Sequence, residues 1–257
     1  MINNQTPGCD VLVISPHTDD AEIGLGGTLA LLGARGRKVW CADLTRGELG
    51  TNDTGDERWD EAAAASDILG LSGRLQLALP DGFINAGDRE QAEALVWILR
   101  ALRPRWVMTA PDAVRHPDHV AVPALTERSC FLARLAALEV DRPELRVWSG
   151  GDTLPDPVRR WEIEALFSVC AEQEPAQLLF DVTDHWQTKQ AALECYASQF
   201  KVGAGRQPTM INDSSFLERI ERRARNWGHH AGCRYAEALR THSVPVLDDL
   251  PAQSWRG

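Results

Sequence analysis

A chain of 257 residues, 44% of them hydrophobic and 25% charged, with a formal net charge of −10, is large enough to bury about three quarters of its unfolded surface. The acidic balance argues against nucleic acid or an anionic membrane surface as a partner, since either calls for a basic face. Residues 1–8 have neither a basic nor an apolar leader region, and no run approaches the ~18 apolar residues of a membrane span. The chain therefore reads as one cytoplasmic domain over 1–257.

In chain order, strand-like apolar runs at about 10–15, 38–44, 74–79, 105–109, 145–148 and 177–182 alternate with helical periodicity at about 26–35, 57–70, 88–102, 118–138 and 184–198. This alternation predicts right-handed crossovers and an α/β fold: a Rossmann-like, mostly parallel sheet with helices on both faces. A last helix is expected over 214–240, with a basic start at Arg219, Arg222, Arg223 and Arg225 that serves as a salt-bridged face or an oligomer contact. The stretches 141–160 and 201–213, rich in Gly and Pro, read as surface loops able to shape a pocket. The six cysteines, Cys9, Cys41, Cys130, Cys170, Cys195 and Cys233, form no Cys-x-x-Cys pair and read as free thiols.

The first strand, ending at Ile14, runs into Ser15-Pro16-His17-Thr18-Asp19-Asp20, and the fourth into Arg115-His116-Pro117-Asp118-His119. Strand ends are where α/β proteins build sites, so two of them can bring His and Asp to one point. His17, Asp20 and His119 make the donor set of a catalytic zinc, which takes three protein ligands and leaves a position for water. Iron(II) suits the same donors. Water attack also needs a carboxylate to accept a proton, and Asp19 suits that role. His116 can stabilise the oxyanion and protonate a leaving amine, with Asp118 holding the imidazole protonated. Asp19 or Asp20 can alternatively cap the following helix.

Gly24-Leu25-Gly26-Gly27 matches part of a dinucleotide fingerprint, but the third glycine falls on Leu29 and the strand ends too early, so close helix–sheet packing is the reading. His185, His229, His230 and His242 show no ligand spacing and read as solvated or structural. Arg46 and Glu48, after the second strand, either touch substrate or pair with each other.

These two clusters resemble the PIG-L (LmbE-like) family of metal-dependent N-acetylglucosaminyl deacetylases, whose motifs read His-Pro-Asp-Asp and His-Pro-Asp-His. Thr18 stands where the family has proline, a change that spares every ligand but removes a fixed φ from the turn. Leu44-Thr45-Arg46-Gly47-Glu48, Arg58, Glu61 and Leu79-Pro80-Asp81-Gly82 continue the likeness. Lys189, Tyr196, Ser198-Gln199, Trp227-Gly228, Gly232 and Tyr235-Ala236-Glu237 are similar to the branch that deacetylates N-acetylglucosaminyl-malate in bacillithiol biosynthesis.

The resemblance implies the PIG-L fold, His17, Asp20 and His119 as metal ligands, Asp19 as base and His116 at the oxyanion and leaving group. It also implies Arg58 and Arg115 as substrate-binding residues, a small sugar conjugate as substrate, and a homo-oligomer, with hexamers among the possibilities. Trp227 is expected either in the core or beneath a sugar ring. A non-catalytic sugar- or metal-binding protein of the same fold would most simply lose Asp19 or His116, and both are present.

Overall fold

The computed structural model describes residues 6–52, 54–109, 116–149, 154–170, 175–201, 207–209, 211–213 and 215–242. Eight strands form one sheet in the order β5-β3-β2-β1-β4-β6-β8-β7. They are β1 (Cys9–Ser15), β2 (Val39–Thr45), β3 (Gly73–Leu79), β4 (Pro104–Thr109), β5 (Leu145–Ser149), β6 (Ala165–Val169), β7 (Leu178–Asp181) and β8 (Ala236–Thr241). Strands β3, β2, β1, β4 and β6 run parallel, whereas β5 at one end and β8 near the other are antiparallel to their neighbours.

Seven α-helices lie among the described residues: α1 (Asp20–Ala34), α2 (Gly55–Leu69), α3 (Arg89–Leu102), α4 (Pro117–Ala133), α5 (Trp186–Glu194), α6 (Ala197–Phe200) and α7 (Ser215–Ala231). Side chains alternate across a strand, and β1 shows the result. Leu12 and Ile14 join the core beneath α3 and α4, while Val11 and Val13 join the opposite core with α1, α2 and α5. Both faces are thus covered, which is why β1 reads as a continuous apolar run from Val11 to Ile14.

Local chemistry sets several ends. Thr54 caps α2 by accepting from the Glu57 N–H at 3.2 Å, and Gly70 closes that helix in the left-handed conformation. Asp88 caps α3 through the Gln91 N–H at 3.0 Å. Proline at the first position of α4 suits a site whose N–H has no helical partner. Within α1, a Cβ at Gly27 would lie 2.7 Å from Val182 and one at Gly26 2.9 Å from Lys189, so these glycines permit close approach of β7's end and α5 rather than a phosphate turn.

Three expectations need correction. The last helix stops at Ala231, and 236–241 is a strand buried between β6 and β7. Strand β6 falls where no element is assigned from the sequence, and α1 begins at Asp20, six residues before the expected start. No helix among the described residues is long and apolar enough to cross a membrane.

Candidate metal centre

Connections from β1 lead to β2 and β3 on one side, while β4 lies on the other side of β1. The crevice at such a reversal, outside the carboxyl ends of the strands, is where open α/β sheets hold ligands. The turn after β1 carries His17, Asp19 and Asp20, and His116 to His119 open α4 after β4.

The structure brings His17, Asp20 and His119 together. Asp20 bridges the two histidines, with Oδ2 3.2 Å from His17 Nδ1 and Oδ1 3.3 Å from His119 Nε2. The His17 backbone N–H also donates to Asp20 Oδ2 at 3.0 Å, so the turn itself aims that carboxylate. Ligands about 2.1 Å from a tetrahedral ion lie about 3.4 Å from one another, and these separations match that spacing. One nitrogen from each histidine and one oxygen of Asp20 all lie within 4.8 Å of one another. Two imidazoles and a carboxylate fit zinc or iron(II).

His17 Nε2 lies 3.0 Å from Asp81 Oδ1 and 3.6 Å from Asp118 Oδ2, so the ring nitrogen turned away from Asp20 meets carboxylates. Such an outer partner fixes the tautomer and orientation of a metal-ligating histidine. Asp81 is held in turn: its N–H donates to Glu48 Oε1 at 2.8 Å, and its Oδ2 accepts from the Leu49 N–H at 3.1 Å. Sequence reasoning assigned Asp81 no role; its place directly after β3, beside the switch point, was the available signal.

Burial works against charge on these groups, but their mutual attraction dominates. Desolvation pulls the His17 imidazole down, yet the Asp118 carboxylate close by and hydrogen bonds with Asp20 and Asp81 hold its pKa well above the usual histidine value. Against the upward push of burial, His119 and His17 hold Asp20 well below the ordinary carboxylate range. The same contest leaves Asp81 at about 2, through its hydrogen bond with His17. Four carboxylates, Asp19, Asp20, Asp81 and Asp118, gathered with one guanidinium and three imidazoles, of which His116 has a lowered pKa, suit a site that receives further positive charge.

Asp19 occupies the N-cap position of α1 but makes no capping hydrogen bond, so capping does not explain it. It is 4% exposed, accepts from Arg58 Nη2 at 3.4 Å, and is raised in pKa first by burial, with Arg58 opposing. Arg58, expected at substrate, is therefore buried against the candidate base. Gly47 permits this: its φ is +66°, and a Cβ there would lie 2.2 Å from Arg58 Nη1.

His116 has a side chain 45% exposed, its ring centroid 4.7 Å from that of His17. Its Nδ1 accepts the Asp118 N–H at 3.3 Å, which assigns the proton of the neutral ring to Nε2. Burial and then the charge on His17 lower its pKa. Asp118, expected to hold that ring protonated, stands 3.9 Å from His116 Nδ1, beyond hydrogen-bond reach. Its oxygens instead accept the Gly82 and Ile84 N–H groups at 2.7 and 3.0 Å. Asp118 anchors the loop after β3 by accepting both of these backbone donors.

Arg46 pairs with Glu144 rather than with Glu48. Arg115 lies outside the described residues. Thr18 is 1% exposed, and its carbonyl accepts from both Tyr196 Oη and Arg74 Nη2, so the turn is held without the family's proline. Lys189 and Glu237 form a buried pair at 2.6 Å, and Trp227 is buried with Cys170, Ala236 and Ala238, which answers the open choice about Trp227 in favour of core.

The sheet order and the donors at its switch point define a class: α/β proteins with a candidate His/Asp metal centre built from the ends of β1 and β4. The matching profile is that of PIG-L, described as GlcNAc-PI de-N-acetylase, over residues 12–130. A conserved protein of Thermus thermophilus superimposes with a TM-score of 0.78 at 34% identity, covering 96% of this chain and 100% of that one. The 1D-myo-inositol 2-acetamido-2-deoxy-alpha-D-glucopyranoside deacetylase of Corynebacterium glutamicum is 29% identical over 80% of each chain. The N,N'-diacetylchitobiose deacetylase of Pyrococcus horikoshii gives a TM-score of 0.70 at 25% identity, over 93% of this chain and 87% of its own. The chain belongs to the PIG-L (LmbE-like) family.

Proposed function

We propose that this protein is a metal-dependent hydrolase that removes the acetyl group from an N-acetylglucosaminyl conjugate, releasing acetate and a free amine. The observation that carries this reading is the meeting of His17, Asp20 and His119 beside a buried carboxylate, Asp19, that serves no capping role. A divalent ion held by those three residues supplies Lewis acidity, polarising the amide carbonyl and lowering the pKa of water toward neutrality.

The remaining work falls to side chains. Asp19, held by Arg58, accepts the proton of the attacking water. His116 donates a hydrogen bond from Nε2 to the developing oxyanion, as a partly exposed neutral imidazole can, while the proton that Asp19 took from water passes to the departing amine and leaves Asp19 ionised again. Asp81 keeps His17 turned toward Asp20. Within this reading the substrate is N-acetylglucosaminyl-malate, on the likeness to the bacillithiol branch. Of the residues that carry the likeness, all but Gly232 are buried, Lys189, Tyr196, Trp227 and Glu237 among them. They bear on this chain's scaffold, so the aglycone has to be tested directly.

The test is acetate release by zinc-loaded protein from N-acetylglucosaminyl-malate, from the inositol conjugate, from diacetylchitobiose and from free N-acetylglucosamine, each with a chelator control. Chelator-sensitive turnover that favours the malate conjugate is the expected result. Preference for another conjugate discards the malate assignment and keeps the chemistry. Absence of release from all four, with one metal bound per chain, overturns the deacetylase reading.

A further inference from the structure

Beneath the turn that carries the site lies a cation the proposed chemistry does not use. Arg74, in β3, is completely buried, and so is Tyr196, at the start of α6. An arginine has five N–H donors and no acceptor, and here every donor is engaged. Nε and Nη2 grip Asp43 of β2 at 2.6 and 2.9 Å, and Nη1 donates to Glu22 of α1 at 2.6 Å and to Ser66 of α2 at 3.5 Å. The remaining Nη2 hydrogen goes to the Thr18 carbonyl, which also accepts from Tyr196 Oη.

That carbonyl shares a peptide plane with the Asp19 N–H. Fixing its direction therefore fixes the backbone from which the Asp19 and Asp20 side chains depart in opposite roles. We propose that Arg74 and Tyr196 are positioning residues for the reaction, acting through the Thr18 carbonyl to set where Asp19 and Asp20 point. This rests on the reading of Asp20 as a metal ligand and Asp19 as proton acceptor. Neither residue touches substrate. A lysine at position 74 keeps one charge but has three donors, too few for Asp43, Glu22, Ser66 and Thr18 together.

Tyr196→Phe tests the proposal with little disturbance, because it removes one hydroxyl whose hydrogen-bond partner is the Thr18 carbonyl and keeps the ring. Outer partners of metal sites are worth about 10–100-fold in affinity or activity. Expected results are a weakening of zinc affinity by about tenfold, read by competition with a coloured chelator, and a comparable fall in kcat with KM within about twofold. Arg74→Lys should show the same pattern more strongly, judged per folded molecule.

Unchanged zinc affinity and kcat in folded Tyr196→Phe overturn the proposal, and so does a lowered melting temperature with both parameters intact, since the hydroxyl is then merely structural. If the wild type releases no acetate while Tyr196→Phe still binds zinc more weakly, the positioning stands and the deacetylase reading falls.

Discussion

Replacing Asp19 with asparagine separates chemistry from metal binding. The carboxylate is 4% exposed, has Arg58 Nη2 at 3.4 Å and caps no helix. Asparagine keeps an oxygen for Arg58 but cannot take a proton from water. Loss of a general base costs about 10²–10⁴ in rate, equivalent to about 2.7–5.4 kcal/mol of transition-state stabilisation. Stability should move the other way or not at all. Burial raises the folded-state pKa of Asp19, so the group favours folding below its unfolded pKa and loses that contribution as pH rises through the folded value. Near pH 7 the substitution therefore removes a cost, offset by the weaker bond to Arg58, and the melting temperature should stay within about 4 °C or rise. The assay is acetate release and metal content on the same zinc-loaded preparation, with a thermal melt alongside. Loss of the metal, or a kcat within tenfold of wild type, refutes the division of labour between Asp19 and Asp20.

Asp81→Asn removes the carboxylate from His17 Nε2 and should weaken zinc affinity by about 10–100-fold; unchanged competition with a chelator rules out Asp81 as the orienting partner. Glu237→Ala leaves Lys189 Nζ buried without its counter-ion at 2.6 Å, a loss of about 3–5 kcal/mol that calorimetry should register as a fall of about 10 °C. A shift under about 3 °C, well short of that fall, contradicts the assignment. Trp227→Phe should leave KM for the preferred conjugate within about twofold, as expected for a core residue; a large rise in KM restores the sugar-platform role.

The first half of the chain was legible because each of its signals is local. An apolar run, a tight turn and His/Asp residues sit within ten positions at β1, and an apolar run followed by a His/Asp cluster recurs at β4, so the meeting of His17 with His119 follows from strand order. The start of α1 was masked by Gly24, Gly26 and Gly27, which weaken helical periodicity in a segment that tertiary contacts hold helical. Strand β8, Ala236-Glu237-Ala238-Leu239-Arg240-Thr241, is composed largely of strong helix formers, and pairing with both β6 and β7 overrides them. Arg74 occupies an alternating apolar strand, where arginine ordinarily signals a solvent-facing position; its burial depends on Asp43 and Glu22, which are distant in sequence. Asp81 and Glu48 act through backbone N–H groups of one another's loops, a relation that residue type does not encode.

The carboxy-terminal third of the chain grips the turn before α1 at one point and α1 itself at two. Tyr196 bonds the Thr18 carbonyl, and further along Lys189 and Arg223 occupy the Ile23 carbonyl while Glu237 accepts from the Gly27 and Thr28 N–H groups at 3.0 and 2.7 Å. The helix that begins at Asp20 is thus suspended from a part of the protein that contributes none of the candidate ligands. Substitutions there can retune the strength and speed of the centre while its reacting groups stay untouched, which gives this scaffold a set of remote adjustment screws for altering activity without rewriting chemistry.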